Sequence, residues 1–184
     1  MKRKQVEFWI EQEQKENYKE VEALVKEAFM ELTDGDPTEH ILVNRIRKSE
    51  TFVPELSMIA RNDQGILGHI LLSVIHIVGE DREFVSLAMA PVSVRPDFQG
   101  LGIGGALIDE SIQKAKEMGF VSIIVLGHPD YYPRFGFRPT AHWQIRAEFD
   151  VPEEALMGME LEVGALQACR MGMIQYPDVF FEVD

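Results

Sequence analysis

Arg95-Pro96-Asp97-Phe98-Gln99-Gly100-Leu101-Gly102-Ile103-Gly104-Gly105 lies between a strand-like run, Phe84 to Val94, and a segment of helical period, Gly102 to Met118. Glycines at 100, 102 and 104 have no Cβ, so the backbone can come close to a bound group. A helix that starts in such a loop adds amides without intrahelical acceptors and a partial positive charge. Strand, glycine loop and helix together form an anion site suited to phosphates. A tight turn alone explains four glycines at one junction poorly.

Two phosphate motifs compete for this stretch. Gly100, Gly102 and Gly105 fit the Gly-x-Gly-x-x-Gly dinucleotide fingerprint. That fingerprint follows its strand almost at once and has an acidic residue at the end of the next strand. Here Arg95 to Gln99 intervene, and the next strand runs out as Val125-Leu126-Gly127-His128. A nucleotide-dependent oxidoreductase is therefore the weaker reading. A P-loop is excluded, because no Gly-Lys-Ser/Thr follows.

Outward from the loop, periodicity gives an element order. Val6 to Glu11 alternates as a half-buried strand does. Asn17 stands as N-cap before apolar Val21, Leu24, Val25, Ala28 and Phe29 at helical spacing. A turn at Asp34-Gly35-Asp36-Pro37 leads to a second helix, Thr38 to Lys48. Leu56 to Ala60 is a strand, Asn62-Asp63-Gln64-Gly65 a hairpin turn, and Ile66 to Val78 a long β-branched strand. Pro91 within Phe84 to Val94 favours an edge, a bulge or a place where pairing opens. In the next helix Ile108, Ser111, Ile112, Ala115 and Met118 share one face, and Gly119 stops it. Val121 to Leu126 is a short strand apolar on both faces, and short strands follow from Phe137 onward. Hairpin-linked strands with one strand-helix-strand crossover predict a mixed α/β sheet. No repeat or linker divides the chain, so 1–184 reads as one domain, with a core over about 5–140 and C-terminal strands at 141–184 completing the fold.

Composition excludes several classes of function. The 184 residues carry 18 Lys+Arg against 31 Asp+Glu, a net charge of -13, which disfavours nucleic acid and anionic membranes as partners. Within Arg95 to Arg146, six basic residues meet five acidic ones, so the proposed anion site sits in the least acidic part of the chain. Cys169 is the one cysteine, and no Cys/His spacing suits zinc, so neither a disulfide nor a metal is expected. The start, Met1-Lys2-Arg3-Lys4, leads into glutamates rather than an apolar leader, and Gly65 to Gly79 is too short for a spanning helix. A cytoplasmic location follows as an expectation.

Val92-x-Val94-x-Pro96 followed by Gln99-Gly100-Leu101-Gly102-Ile103-Gly104 resembles the acyl-CoA signature of the GNAT superfamily of N-acetyltransferases, Gln/Arg-x-x-Gly-x-Gly/Ala. Downstream, Tyr132-Pro133-Arg134-Phe135-Gly136-Phe137 resembles the family's Tyr-x-x-x-Gly-Phe. The resemblance covers about Val6 to Phe137. Ala90-Pro91 and Leu126-Gly127-His128-Pro129 look closest to a bacterial branch of mostly predicted acetyltransferases.

The resemblance implies a mostly antiparallel central sheet flanked by helices, and direct attack of a primary amine, on a small molecule or peptide, on acetyl-CoA. Backbone amides of Gln99, Gly100, Gly102, Ile103 and Gly104 would hold the pyrophosphate. Strand backbone at Val92 and Val94 would pair the pantetheine arm, and an amide near Val92 would meet the developing oxyanion. Tyr132 stands where the family has its general acid, with Tyr131 as neighbour and fallback. His128 is the candidate base, since histidine titrates in the useful range. His76, Glu80 and Glu83 are candidates to line the acceptor side, and Arg134 and Arg138 to meet the adenosine phosphates. His40, His69 and His142 carry no readable role. Met157, Met159, Met171 and Met173, with Trp143 and Phe149, read as core and interface packing, which leaves room for a homodimer. The rival from another class is a non-catalytic acetyl-CoA-binding sensor.

Overall fold

A computed structural model describes residues 5–182; the basic start Met1-Lys2-Arg3-Lys4 lies outside them. The chain runs β1 (Trp9–Gln12), α1 (Tyr18–Met30), α2 (Glu39–Arg47), β2 (Phe52–Asn62), β3 (Gly65–Val78), β4 (Glu83–Val94), α3 (Ile103–Glu117) and β5 (Ser122–Leu126). It continues with β6 (Arg138–Pro139), β7 (Arg146–Ala147), β8 (Leu156–Glu160), α4 (Ala165–Ala168) and β9 (Met173–Gln175). Hydrogen bonds order the sheet β1-β2-β3-β4-β5-β8-β6, with β9 on β3 and β7 on β9. The architecture is the mixed α/β sheet that the element pattern predicts, mostly antiparallel and accompanied by helices as the resemblance implies.

Contacts group the chain into two units, Met1–Leu71 with Pro91–Ser111, and Leu72–Ala90 with Ile112–Asp184. In the first, β1 pairs antiparallel with β2 from Trp9 opposite Arg61 to Gln12 opposite Met58. The helices bury the faces their spacing sets: Val21, Leu24, Val25 and Ala28 on α1, Val43 and Ile46 on α2. Asn17 precedes α1 as expected, but its Oδ1 accepts from the Gln14 amide at 2.8 Å, closing the 3₁₀ turn before the helix instead of capping it.

A buried polar network ties Glu13, just after β1, to four elements of this unit, α1, α2, β2 and β3, and residue spacing carries no sign of it. Glu13 accepts from the Arg47 guanidinium and, at 2.5 Å, from the Ser57 hydroxyl. Arg47 also donates to Glu22 at 2.9 Å and lies 3.9 Å over the Tyr18 ring. His69 Nε2 lies 3.1 Å from the Ser57 oxygen. Since the Ser57 hydroxyl is spent on Glu13, His69 must donate through Nε2–H, which fixes the neutral tautomer. Burial lowers the His69 pKa despite Glu13. Burial alone would raise Glu13, but the neighbouring His69, 3.8 Å away, with the hydrogen bonds from Ser57 and Arg47, outweighs that and lowers it. An imidazole held neutral opposes folding once the unfolded chain protonates, so stability is complete above pH 6.5 and falls below it. The thermal midpoint should therefore drop between pH 6.5 and 5, and His69→Gln should flatten that drop. An equal slope in the variant would remove His69 as its cause.

In the second unit β4 and β5 pair in parallel at Leu87 with Ile123 and Ala88 with Ile124, the arrangement a helical crossover requires. β5 pairs antiparallel with β8 along its whole length, from Ser122 opposite Glu160 to Leu126 opposite Leu156. β9 lies antiparallel to the end of β3 and parallel to β7. Ile75, Ile77, Ile124, Trp143, Leu156, Leu166 and Ile174 form the core here.

Further expectations need correction. β1 begins at Trp9, not Val6. Met118 is 39% exposed, so the buried face of α3 is Ile103, Leu107, Ile108, Ser111 and Ala115. β5 is buried only to Val125, because Leu126 is 46% exposed where the strand runs out. The mid-strand proline does coincide with an irregularity. The Gly79 amide donates to the Arg82 carbonyl, and the Arg95 amide to the Leu67 carbonyl. One more residue separates Arg82 from Arg95 along β4 than Leu67 from Gly79 along β3. β4 therefore carries a bulge, and Pro91 lies within that span.

Candidate active site

β4 leaves the sheet at Val94, where the Arg95 amide donates to Leu67 at 2.8 Å. Pro96–Phe98 then form a 3₁₀ turn, closed by the Phe98 amide on Arg95 and the Gln99 amide on Pro96. The Arg95 guanidinium stacks 5.2 Å from the Phe98 ring centre. Gln99 Nε2 reaches back to the Val94 carbonyl at 3.2 Å, so this side chain braces the loop across its base.

Gly100 and Gly102 have φ of +73° and +88°. A side chain there costs about 1–3 kcal/mol of backbone strain. A Cβ at either position would find no protein atom within 4 Å, so both face open space. The Ala106 amide donates to Gly102 at 3.0 Å and starts α3. Ile103, Gly104 and Gly105 thus present first-turn amides that have no intrahelical acceptor. The first turn carries no acidic residue, and Lys114 and Lys116 lie in the last, where the dipole favours them. Ile103 anchors the turn below. A Cβ at Gly68 of β3 would come within 3.1 Å of Ile103 and 3.0 Å of Leu107, so only bare backbone lets α3 pack this closely. Along the end of β4, half-buried Ala90, Val92 and Val94 alternate with buried Pro91 and Ser93. Val92 and Val94 therefore share the more open face.

Tyr132 and His128 belong to the second unit. The His128 carbonyl accepts from the Tyr131 amide at 3.1 Å and the Tyr132 amide at 3.4 Å, folding 128–132 into one tight turn. The Tyr132 ring meets Tyr131 and Phe137 edge-on, at 5.2 Å and 5.7 Å between centres. Burial, with Tyr131 adding to it, pushes the Tyr132 hydroxyl up to about 12, so it is protonated at any ordinary pH. The His128 side chain is exposed and shares an open cleft of about 380 Å³ with Leu126, Gly127, Pro129, Glu154 and Ala155.

Other candidates fall elsewhere. Arg134 is taken up by Tyr131, donating to its carbonyl at 3.0 Å and covering its ring at 4.5 Å. His76 lies on β3 opposite Gln175, and Glu80 and Glu83 are exposed at the β3–β4 turn. Residue spacing missed Glu154, which only folding brings into the same cleft as His128. It also missed Trp9 and Asn62, which line a cleft of about 1070 Å³ with Arg95, Phe98 and Leu101 beside the glycine loop. Among the described residues, no three His, Cys, Asp or Glu side chains gather as metal ligands, and no helix is long and apolar enough to cross a membrane.

Comparison with known proteins agrees with this geometry. Residues 52–139 match the model of the acetyltransferase (GNAT) domain. The uncharacterized N-acetyltransferase YjhQ of Escherichia coli K12 is 38% identical over 121 residues, which is 65% of this chain and 67% of that protein. The uncharacterized N-acetyltransferase YhbS of the same strain is 29% identical over 87% of this chain and 90% of its own length. The crystal structure of E. coli YhbS in complex with CoA superposes with a TM-score of 0.83 at 24% identity, over 96% of this chain and 93% of that one. A GNAT acetyltransferase from Brucella melitensis, in complex with acetyl-CoA, gives 0.76 at 26% identity, over 95% and 98%. With the glycine loop, the sheet order and these relatives in agreement, the chain belongs to the GNAT family of N-acetyltransferases.

Proposed function

We propose that this protein transfers the acetyl group of acetyl-CoA to a primary amine by direct attack, with 1–184 acting as one N-acetyltransferase domain. The observation that carries the proposal is the loop of Gln99 to Gly104, whose open volume and first-turn amides suit a pyrophosphate. Relatives that hold CoA and acetyl-CoA support the same donor. Amides of the open stretch of β4 around Val92 and Val94 are assigned to the pantetheine arm, and one near Val92 to the oxyanion.

In the reaction the amine nitrogen bonds to the thioester carbonyl carbon, the C–S bond breaks, and the nitrogen gives up a proton. The thiolate leaves with a pKa of roughly 8.5, taking cysteine as guide. Complete proton transfer from a tyrosine at about 12 would run uphill by roughly 5 kcal/mol. Tyr132 therefore acts chiefly as a hydrogen-bond donor to the departing sulfur. His128 is assigned as the base that takes the amine proton, and the acidic remainder of the chain as the attraction for a cationic acceptor.

Direct attack is favoured over an acyl-cysteine intermediate. Cys169 is 3% exposed, its Sγ donates to the Ala165 carbonyl, and burial pushes its thiol up to about 11. A thiol so placed is a poor nucleophile.

The test is a panel of cationic and neutral amines with acetyl-CoA at low salt, read as release of free CoA. Turnover with cationic amines preferred supports the reading. Tight acetyl-CoA binding without turnover on any amine would favour a non-catalytic sensor. Stabilisation by NAD(P) but not CoA would favour the dinucleotide reading of the loop.

A further inference from the structure

Gly127, where the chain leaves β5, fits no turn requirement, yet the space beside it is already filled. Its φ lies outside the left-handed region, so φ does not demand glycine there. A Cβ there would overlap Cε2 of Tyr132 and lie 3.0 Å from Cδ2 and 3.3 Å from Cζ. The tyrosine ring rests directly on the Gly127 backbone.

Neither partner is free to yield. The Gly127 amide donates to the Ala155 carbonyl at 2.9 Å, which ties this stretch to the segment before β8. The Tyr132 ring is bounded by Tyr131 on one edge and by Phe137, buried in the core, on another. Tyr131 is itself backed by Phe135 at 5.3 Å and by the Arg134 guanidinium. The amides of Tyr131 and Tyr132, both bonded to the His128 carbonyl, hold the turn from below.

We propose that Gly127 is a positioning residue: its missing side chain sets where the Tyr132 hydroxyl stands. The inference rests on Tyr132 being the donor to the leaving thiolate, as assigned above. A methyl group at 127 must push the ring aside by about 1 Å, and a misplacement of that size can cost about 100-fold in rate. Because φ does not demand glycine at 127, the loss comes through the ring rather than through chain strain.

The experiment is a kinetic cycle of Gly127→Ala, Tyr132→Phe and the double variant, with kcat and the KM for acetyl-CoA measured for each. Gly127→Ala is expected to lower kcat about 10- to 100-fold while KM stays within about twofold. In the Tyr132→Phe background the same change should lower kcat by no more than about threefold, since the hydroxyl it displaces is gone. An equal loss in both backgrounds, or no loss in either, overturns the proposal. A merely structural role would lower kcat equally with and without the hydroxyl.

A second cycle separates this inference from the reading beneath it. If Tyr132→Phe keeps full kcat, the donor role fails, and the packing claim is then decided by thermal stability. In the Tyr132→Ala background the same Gly127→Ala change should cost no further thermal stability, because the ring that the methyl group would strike is gone. A further loss in that background overturns the packing claim. Where Gly127→Ala alone does not fold, the comparison of Tyr132→Ala with the double variant still applies, and their thermal midpoints should agree.

Discussion

Gly102→Glu should abolish acetyl-CoA binding while the protein stays folded. The new side chain leaves a backbone at φ +88° and enters the open volume beside the first-turn amides of α3. Two charge-assisted hydrogen bonds to phosphate, about 1.5–3 kcal/mol each, are at stake. Losing both, with a carboxylate facing the diphosphate, weakens binding about 10³-fold or more. Strain is separable from charge. Gly102→Ala carries the same backbone cost of about 1–3 kcal/mol but no charge, so it should lose thermal stability to a similar degree and much less affinity. Calorimetric titration of both variants checks this. Wild-type affinity in folded Gly102→Glu would remove the loop from the donor site.

Tyr132→Phe should lower kcat about 10- to 100-fold and leave acetyl-CoA affinity nearly unchanged. The magnitude follows from one hydrogen bond to a charged group, about 1.5–3 kcal/mol, rather than from a complete proton transfer, which the gap between a hydroxyl near 12 and a thiol near 8.5 opposes. The raised pKa also fixes the pH behaviour. A tyrosine that stays protonated to about 12 supplies its donor throughout the working range. No alkaline fall in kcat below about pH 10 should therefore trace to Tyr132. An alkaline limb that appears in the wild type and vanishes in Tyr132→Phe would contradict the assignment, as would an unaltered rate.

The elements that position the loop were legible because their periods are long. Gly65–Val78 and Glu83–Val94 are rich in β-branched and apolar residues around a two-residue turn, and Ile103–Glu117 switches to helical period within one turn of Gly102. Where β-strand propensity was diluted, boundaries slipped. β2 begins at Phe52, four residues before the segment that alternation marks, because Pro54 and exposed Glu55 interrupt the pattern. The C-terminal part was harder still. β7 and β9 have two and three residues, too few for any period, and their pairing depends on β3, far away in sequence.

The candidate site divides in the same way. Local chemistry is written in the loop, where glycine at a strand-to-helix junction has few other uses. Contacts made by folding are not. Nothing in the spacing joins Glu154 to His128, or Gly127 to the ring of Tyr132, and Glu13 reads as one more exposed acid until Arg47, Ser57 and His69 surround it. Buried polar contacts between distant residues leave no periodic trace, because each partner is a single position.

The proposed reaction moves an acetyl group from sulfur to nitrogen. Its most direct test is a stoichiometric one: incubate the protein with acetyl-CoA and an accepted amine, then quantify free CoA thiol and acetylated amine in the same sample by mass spectrometry. One acetamide is expected for each thiol released, with the acetyl group on the amine nitrogen and none on the protein. Thiol release without acetamide, or an acetyl group retained on Cys169, would contradict it.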